Sequence, residues 1–166
     1  NIRYTEDWPD PPAPARGEVL VRTLATALNH MDLWVGRGIR GVDLTYPRLS
    51  GCDACGVVES VGEGVNPSWV GKRVIVNAAV AKPERAHPAD PPGSTLAPEY
   101  ELIGEHTNGM LCERFLAPAA NLAAVDEADP AEAAAFGLVT LTAYSALVTK
   151  AGLRPGQAVL ITGIGG

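Results

Sequence analysis

Two short stretches of the sequence hold the side chains that could do chemistry. The first spans residues 29–34 and contributes Asn29, Asp32 and Trp34, and the second begins with Cys52 and Asp53. A thiolate and a carboxylate can ligate a metal, whereas an amide can hold the oxygen of a bound molecule through a hydrogen bond. These residue types therefore indicate either a metal or redox site or a polar pocket for a small molecule.

Cys52 opens a Cys-x-x-Cys pattern that closes at Cys55, a spacing found at redox and metal sites. Residues three apart in a strand point to opposite faces, so the two sulfurs converge only if Gly51 or Gly56 permits a turn. The third cysteine, Cys112, is expected in the core, and no second pair is present to complete a zinc ribbon. The pattern therefore favours separate small buried thiols, with a disulfide or metal pair as the alternative.

Strands and one short helix are predicted to position both stretches. Asn29 is a suitable helix N-cap with Asp32 in the first turn, and glycines at 36 and 38 end the helix. Branched residues in rough alternation predict strands at 18–25, 55–61, 71–76 and 112–116, with a tight turn at 62–64. Residues 77–110 lack such periodicity and are interpreted as a functional or mobile loop, with His87 and His106 as solvated side chains.

After residue 125 the pattern changes from β to helical. Asp129, Pro130 and Glu132 are suitable N-cap, first and third helical residues. An alanine- and leucine-rich helical region follows over 133–150, with a break expected at Gly137. We expect this region to leave an apolar face that is either uncovered or packed against a neighbouring molecule.

The last residues resemble the beginning of a nucleotide-binding unit. The apolar run at 158–162 is typical of a parallel strand buried on both faces. Gly163, Gly165 and Gly166 follow that strand, which is the context in which glycines let a backbone approach a pyrophosphate. The predicted organisation is therefore a β domain over 1–125 and the start of an α/β domain over 126–166.

Composition limits the classes of partner. The net charge of −6 argues against nucleic acid or an anionic membrane surface, and no apolar run approaches the ~20 residues that a membrane span needs. Three cysteines cannot build a disulfide framework, and free thiols fit a reducing compartment. We therefore expect a cytoplasmic protein with a small-molecule partner.

Several motifs in order resemble the medium-chain dehydrogenase/reductase superfamily, the group of zinc alcohol dehydrogenases and quinone oxidoreductases. They are residues 29–38, 51–65, 71–74, 132–144 and 153–163, which together cover nearly the whole chain. The resemblance implies a mainly β, GroES-like barrel with short helices, followed by the first helix and strand of a truncated Rossmann domain. It also implies an oxidoreductase that uses NAD or NADP, with NADPH slightly favoured.

The chain departs from the zinc-dependent members at the metal ligands. Asn29 stands where those relatives have a cysteine, Cys52 and Asp53 stand where they have histidine and glutamate, and Leu138 stands near a third ligand. An amide is a poor zinc ligand and leucine is none, while catalytic zinc requires three protein ligands. A zinc-free quinone oxidoreductase is therefore expected, acting on a quinone, an enone or a related carbonyl compound. A zinc alcohol dehydrogenase with altered ligands and a non-catalytic GroES-like binding module are the alternatives.

The resemblance implies roles for individual residues. Asn29, Asp32, Trp34, Cys52 and Asp53 would form the substrate cleft, with the Asn29 amide as a donor to the substrate oxygen or only as a helix cap. Asp53 could also serve only as a hydrogen-bonding partner. Cofactor contacts would come from His30, Thr142, Gly163, Gly165 and Gly166. His30 could instead be a plain surface histidine, and Thr142 could simply bond back to its own helix.

Because the chain stops where the phosphate loop should turn into its helix, we expect it to be inactive alone. A fragment of a longer dehydrogenase fits this pattern better than a stand-alone barrel. The resemblance implies a homodimer or homotetramer at full length.

Overall fold

The computed structural model describes residues 2–81, 100–125 and 127–163. In chain order its strands and main helices are β1 (Glu18–Ala27), α1 (His30–Arg37), β2 (Asp53–Val61), β3 (Arg73–Val76), β4 (Ala79–Ala81), β5 (Tyr100–Leu102), β6 (Arg114–Pro118), β7 (Leu122–Ala124) and α2 (Pro130–Tyr144). Two short 3₁₀ turns, Pro67–Trp69 and Ala119–Asn121, precede β3 and β7.

The strands form a five-stranded sheet in the order β6-β1-β2-β3-β7, and β4 pairs separately with β5. All these pairings are antiparallel. The predicted fold class is confirmed, since the described residues are mainly antiparallel strand with few short helices.

The predicted loop over 77–110 is wrong at both of its ends. Its first residues form β4 and its later residues form β5, and a turn follows in which His106 Nδ1 accepts the Leu102 N–H at 3.1 Å. His106 is therefore part of a structured turn rather than a free loop side chain. The other predicted loop histidine, His87, lies outside the described residues.

The main core combines side chains of the strands with Met31 and Val35 of α1. Its largest fully buried side chains include Met110, Val19, Val21, Val58 and Val74. These apolar residues recur at alternate positions of their strands, as β1 does at 19 and 21, because alternate side chains share one face. The alternation that predicted the strands thus also placed the core.

Helix α2 begins where the sequence predicts and then differs from the prediction. Asp129 caps it by accepting the N–H groups of Ala131 and Glu132, with Pro130 as first residue. The expected break at Gly137 is absent: α2 runs to Tyr144 and continues as a π-helical segment over Ser145–Lys150. Packing of the first turns on the sheet stabilises the helix through the glycine, because tertiary contacts outweigh a propensity penalty of ~1 kcal/mol.

The first turns of α2 pack against the face of the sheet opposite the main core. Ala133 and Ala134 are buried there against Cys55 of β2, with Ala25 and Ala27 of β1 around them. The small side chains allow the helix to approach the strands closely.

Most of α2 beyond that contact is uncovered. Phe136, Val139, Leu141 and Tyr144 are each between 43% and 59% exposed. This confirms the predicted uncovered apolar face within the part of the chain that the structure describes.

The expectation that no apolar run approaches membrane-spanning length is wrong for α2 and its π-helical continuation. Residues Pro130–Lys150 form a helix of 21 residues that is long and apolar enough to cross a membrane by length and composition, and 11% of its most apolar window is buried. A count of uninterrupted apolar residues missed it because threonines interrupt the pattern. This is weak support for a span, since Ala133 and Ala134 already pack on the sheet.

The predicted strand at 158–162 is also corrected. These residues pair with no other strand, and Leu160 and Ile161 are 89% and 65% exposed. A parallel strand needs neighbours on both edges, and the described residues supply none.

Candidate functional site

The candidate site lies where β1 ends and β2 begins. Antiparallel pairing places Ala27, the last residue of β1, opposite Asp53, the first residue of β2. The chain then turns at Leu28 and Asn29 into α1, so Asn29 lies beside Cys52 and Asp53. Strand register thus unites the two stretches that the sequence separates.

Asn29 occupies the N-cap position of α1 with an extended backbone. Its Nδ2 donates to Asp53 Oδ2 at 2.8 Å and to Cys52 Sγ at 3.3 Å. A side-chain amide has two N–H hydrogens, and these contacts account for both. The Asn29 amide thus joins Cys52 and Asp53 into one hydrogen-bonded group, the wall of the site. Its predicted role as a donor to a substrate oxygen stays a prediction.

Asp53 is almost fully buried and bridges two elements. Besides the Asn29 amide at Oδ2, its Oδ1 accepts the backbone N–H of Leu138 in α2 at 2.7 Å. Burial raises the pKa of the Asp53 carboxyl, an effect that its two N–H donors oppose and the nearby Asp32 carboxylate reinforces. No cation forms an ion pair with Asp53 among the described residues.

Cys52 is fully buried beside these groups. Burial, and then the negative charges of Asp53 and Asp32, raise the pKa of its thiol to about 12. The group is therefore a neutral thiol at physiological pH and a poor nucleophile, because the thiolate is the reactive form.

The two cysteines of the Cys-x-x-Cys pattern point away from each other. Cys52 belongs to the main core cluster, while Cys55 packs with Ala133 and Ala134 on the opposite face. Both are free thiols. Cys52 and Cys55 thus lie on opposite faces of the sheet, as the alternation of side chains along a strand predicts.

Asp32 anchors the loop that precedes β2. Its Oδ2 accepts the Asn29 N–H at 2.7 Å, and its Oδ1 accepts the Ser50 hydroxyl at 2.7 Å and the Gly51 N–H at 2.9 Å. The side chain is 5% exposed and all its contacts hold backbone or loop groups. These hydrogen bonds fix Asn29, Ser50 and Gly51 around the Asp32 carboxylate.

The same loop is fixed from its other side by residues 109–111. Met110 N–H donates to the Gly51 carbonyl and Leu111 N–H donates to the Ser50 carbonyl, each at 2.9 Å. Gly51 has φ +99°, a region that favours glycine, and a Cβ at Gly109 would overlap the Ser50 carbonyl. The backbone at Cys52 is therefore held rigidly before β2 begins.

Trp34 and His30 lie together on the exposed side of α1. One turn separates them, their ring centroids are 6.3 Å apart, and Trp34 is 56% exposed. No described hydrogen bond joins either ring to the Asn29–Asp53 cluster. Both residues are exposed and His30 directly follows Asn29 in the chain, so this exposed part of α1 is called the rim of the site.

Of the predicted cofactor residues, Thr142 is placed on α2 and Gly163 near the end of the described chain. The exposed Thr142 hydroxyl donates to the Leu138 carbonyl at 2.8 Å, which is the bond back to the preceding turn that was its alternative interpretation. Gly163 has φ +70° and is exposed. Gly165 and Gly166 lie outside the described residues.

The donor set does not fit a catalytic zinc ion. Cys52 and Asp53 are ordinary ligand types, but Asn29 directs N–H groups towards both of them. The nearby Asp32 carboxylate is occupied by three hydrogen bonds within the chain, and Leu138 presents an alkyl side chain. No group of three His, Cys, Asp or Glu side chains able to hold a metal occurs among the described residues. Zinc sites of the catalytic type require three protein ligands.

An apolar groove adjoins the cluster on the far side of Leu138. It encloses about 370 Å³ between α2 and the strands β3 and β7. Its walls include Leu122, Phe136, Leu141 and Tyr144, with the polar side chains of Asn77 and Asn121 at one end. The uncovered apolar side chains of α2 thus form one wall of this groove.

Gly137 belongs to the site although no motif in the sequence indicated it. A Cβ at this position would overlap Asp53 Oδ1. The isolated glycine in an otherwise good helix was the available signal, because it costs stability relative to alanine and is tolerated where packing requires it. Ser50 was missed as well, because a single serine in a loop carries no pattern.

Comparisons with known proteins show the family to which the chain belongs. The family model of the alcohol dehydrogenase GroES-like domain matches residues 15–127. A protein of Leptosphaeria maculans named zinc-type alcohol dehydrogenase-like protein YogA is 34% identical over 93% of the chain and 44% of its own length. Human quinone oxidoreductase is 26% identical over 93% of the chain and 39% of its own length.

A solved structure of an NAD-dependent alcohol dehydrogenase superposes with a TM-score of 0.78 at 38% identity, covering 90% of the chain and 43% of that protein. The chain thus spans less than half the length of these relatives. Since the family model covers more than half of the chain, the chain belongs to the alcohol dehydrogenase GroES-like domain family, within the medium-chain dehydrogenase/reductase superfamily.

Proposed function

We propose that this chain is the substrate-side part of an NAD(P)-dependent oxidoreductase that works without catalytic zinc. The substrate is a quinone, an enone or a related carbonyl compound, and it receives a hydride from the reduced nicotinamide. Residues 1–125 form the catalytic domain and residues 126–166 begin the cofactor domain.

One observation carries the zinc-free part of the proposal. The amide of Asn29, at the position where zinc-dependent relatives have a cysteine, donates to both Cys52 and Asp53. A metal at this point would have to replace those hydrogen bonds and would face two N–H hydrogens. The cluster is complete as a hydrogen-bonded wall, which supports a reaction driven by positioning rather than by a Lewis acid.

The proposed role of each residue follows from its position in the site. Asn29, Asp32 and Asp53 hold the wall, and the neutral Cys52 thiol adds a small, weakly polar surface to it. Trp34 contributes an exposed aromatic face at the rim, suited to stacking on a planar quinone. The reaction needs two electrons and one proton from the cofactor as hydride, and a second proton from solvent or from His30 at the rim.

NAD or NADP is the cofactor, with NADPH slightly favoured, and Thr142 on α2 is its contact near the nicotinamide. His30 and the glycines at 163, 165 and 166 are the proposed contacts to its pyrophosphate. The proposal places the whole protein in the cytoplasm as a homodimer or homotetramer, without a nucleic-acid or membrane partner.

A zinc-dependent alcohol dehydrogenase with altered ligands is the second candidate. It is favoured by the name of the Leptosphaeria relative and by the presence of a thiol and a carboxyl at adjacent positions. It requires Asn29 to turn away from Cys52 and Asp53 and a third ligand from outside the described residues.

A paired substrate assay on the full-length protein separates the two. We expect oxidation of NADPH or NADH with 1,2-naphthoquinone or a simple enone, and little reduction of NAD⁺ or NADP⁺ with primary and secondary alcohols. Alcohol oxidation that depends on added zinc, with no quinone reduction, would replace the first candidate by the second.

A further inference from the structure

Asp53 connects three parts of the fold that belong to different elements. Its two carboxylate oxygens accept one donor each, from the Asn29 side chain before α1 and from the Leu138 backbone within α2. In a regular α-helix the Leu138 N–H would serve only the carbonyl four residues earlier. Here a buried carboxylate from the sheet accepts this N–H at 2.7 Å.

Gly137 is what allows this approach. The carboxylate lies where a Cβ of residue 137 would be, so any other residue would push Asp53 or α2 away. The glycine stands in an alanine-rich helix in which alanine itself would be the better helix former. The glycine therefore has a packing reason, since the contact with the buried carboxylate leaves no room for a Cβ at residue 137.

The hydrogen bonds continue from Leu138 towards the proposed cofactor side. The Leu138 carbonyl accepts the Thr142 hydroxyl at 2.8 Å, one turn further along α2. An unbroken series of bonds therefore joins Asn29, Asp53, Leu138 and Thr142. Its first member lies in the substrate wall, and its last lies on the helix face that the proposed function assigns to the nicotinamide.

We propose that Asp53 is a positioning residue that locks α2 onto the Asn29 wall, and that Gly137 is the matching notch on the helix. The lock fixes the distance between the substrate wall and Thr142. The part of this inference that concerns hydride transfer rests on the proposed function, whereas the lock itself does not.

Replacing Gly137 by alanine tests the notch in the full-length protein. Helix propensity alone predicts that Gly137→Ala raises the melting temperature. The lock predicts the opposite, because the new methyl group displaces the carboxylate. Gly137→Ala made in an Asp53→Ala background is the matched control: without the carboxylate the methyl group meets only the residue 53 Cβ, 3.9 Å away, and should raise the melting temperature relative to Asp53→Ala alone. A more stable Gly137→Ala variant would overturn the proposal.

Exchanging donor and acceptor tests the bridge. Asp53→Asn sets two amides against each other, and Asn29→Asp sets two carboxylates against each other, so each single variant should unfold at a lower temperature. In the double variant, N29D with D53N, residue 53 can still accept the Leu138 N–H and can donate to residue 29. The neutral Cys52 thiol can donate to residue 29 as well. We expect the double variant to recover most of the loss, and a double variant no better than the worse single one would contradict the bridge.

A kinetic readout tests the effect on positioning. With 1,2-naphthoquinone and NADPH deuterated at the transferred C4 position, Gly137→Ala should lower kcat on the order of ten- to a hundredfold and change KM less than about threefold. The primary isotope effect on kcat should rise, because hydride transfer becomes more rate-limiting. An unchanged kcat and isotope effect would overturn the coupling. Absence of quinone reduction by the natural protein would refute the proposed function, while the two unfolding tests would still decide the lock.

Discussion

At the scale of single residues, the site is built from groups that satisfy one another. Both Nδ2 contacts of Asn29, both oxygens of Asp53 and both oxygens of Asp32 are taken up by neighbours within the chain. A buried polar group without a partner costs ~1–3 kcal/mol, so these pairings stabilise a fixed geometry. The wall is therefore preorganised before any ligand binds.

The protonated state of Cys52 gives a prediction on reactivity. With its pKa raised to about 12, the thiol should carry more than a thousandfold less thiolate at neutral pH than a free cysteine. We expect iodoacetamide at pH 7.5 to leave Cys52 unmodified in the native protein, as peptide mass mapping can show. Protein unfolded in urea is the control and should be labelled at all three cysteines. Labelling of Cys52 ahead of the less buried Cys112 would contradict this.

The raised pKa of Asp53 gives a prediction on stability. The folded state holds the carboxyl proton more tightly than the unfolded state, so this group's contribution to the free energy of unfolding is full below the ordinary Asp pKa. That contribution is lost as the pH rises through the raised value, by at most ~1.4 kcal/mol per pH unit. Urea unfolding between pH 4 and 7 should show this fall in the natural protein and a flatter profile in Asp53→Asn. Equal slopes would refute it.

At the scale of elements, strands β1, β2, β3 and β6 and the starts of both helices could be predicted because each has a local signal. The three-residue strands β4, β5 and β7 are too short to show alternation and were not predicted. Alternation at Val19 and Val21 gave β1 and its buried face together, and Asp129 followed by Pro130 gave the start of α2. Such signals depend on residues a few positions apart.

The errors arose where a partner outside the local pattern decides the structure. Gly137 was expected to break α2, but contact with the sheet and with Asp53 keeps the helix continuous. Residues 158–162 have the composition of a buried strand but lack neighbouring strands among the described residues. The bond from Leu138 to Asp53 joins positions 85 residues apart, and no spacing in the sequence announces it.

The cap of α2 gives a prediction at this scale. Asp129 accepts two N–H groups of the first turn at 2.9 and 3.1 Å, so Asp129→Ala should lower the free energy of unfolding by ~1 kcal/mol. Denaturant unfolding measures this difference. The matched control is Glu127→Ala, two residues earlier in an exposed position, which should change the value by less than ~0.5 kcal/mol. A loss no larger than that of the control would mean that the cap contributes little.

At the scale of the whole molecule, α2 carries both an uncovered apolar surface and the contact with Asp53. The exposed side chains of Phe136 and Tyr144 border the groove of about 370 Å³. An apolar surface of this kind marks an interaction site when it is contiguous. The contact with Asp53 and the uncovered face belong to the same helix, so a partner that packs on this face also affects the position of Leu138.

Dye binding tests whether this face is accessible. The 166-residue chain alone should enhance the fluorescence of an apolar-surface dye, and the paired change of Phe136 and Tyr144 to glutamine should reduce the signal. Replacing Tyr4, exposed near the N-terminus, by glutamine is the control and should leave the signal unchanged. Near-ultraviolet circular dichroism should confirm that each variant keeps its packing, and an unaltered dye signal in the paired variant would place the apolar surface elsewhere.

Turnover by metal-free protein is the most direct test of a zinc-free reductase. The full-length protein, dialysed against a strong zinc chelator and shown by elemental analysis to hold well under one zinc per chain, should oxidise NAD(P)H with 1,2-naphthoquinone at the rate it had before dialysis. Loss of that rate on dialysis, with recovery when one equivalent of zinc is restored, would contradict the account.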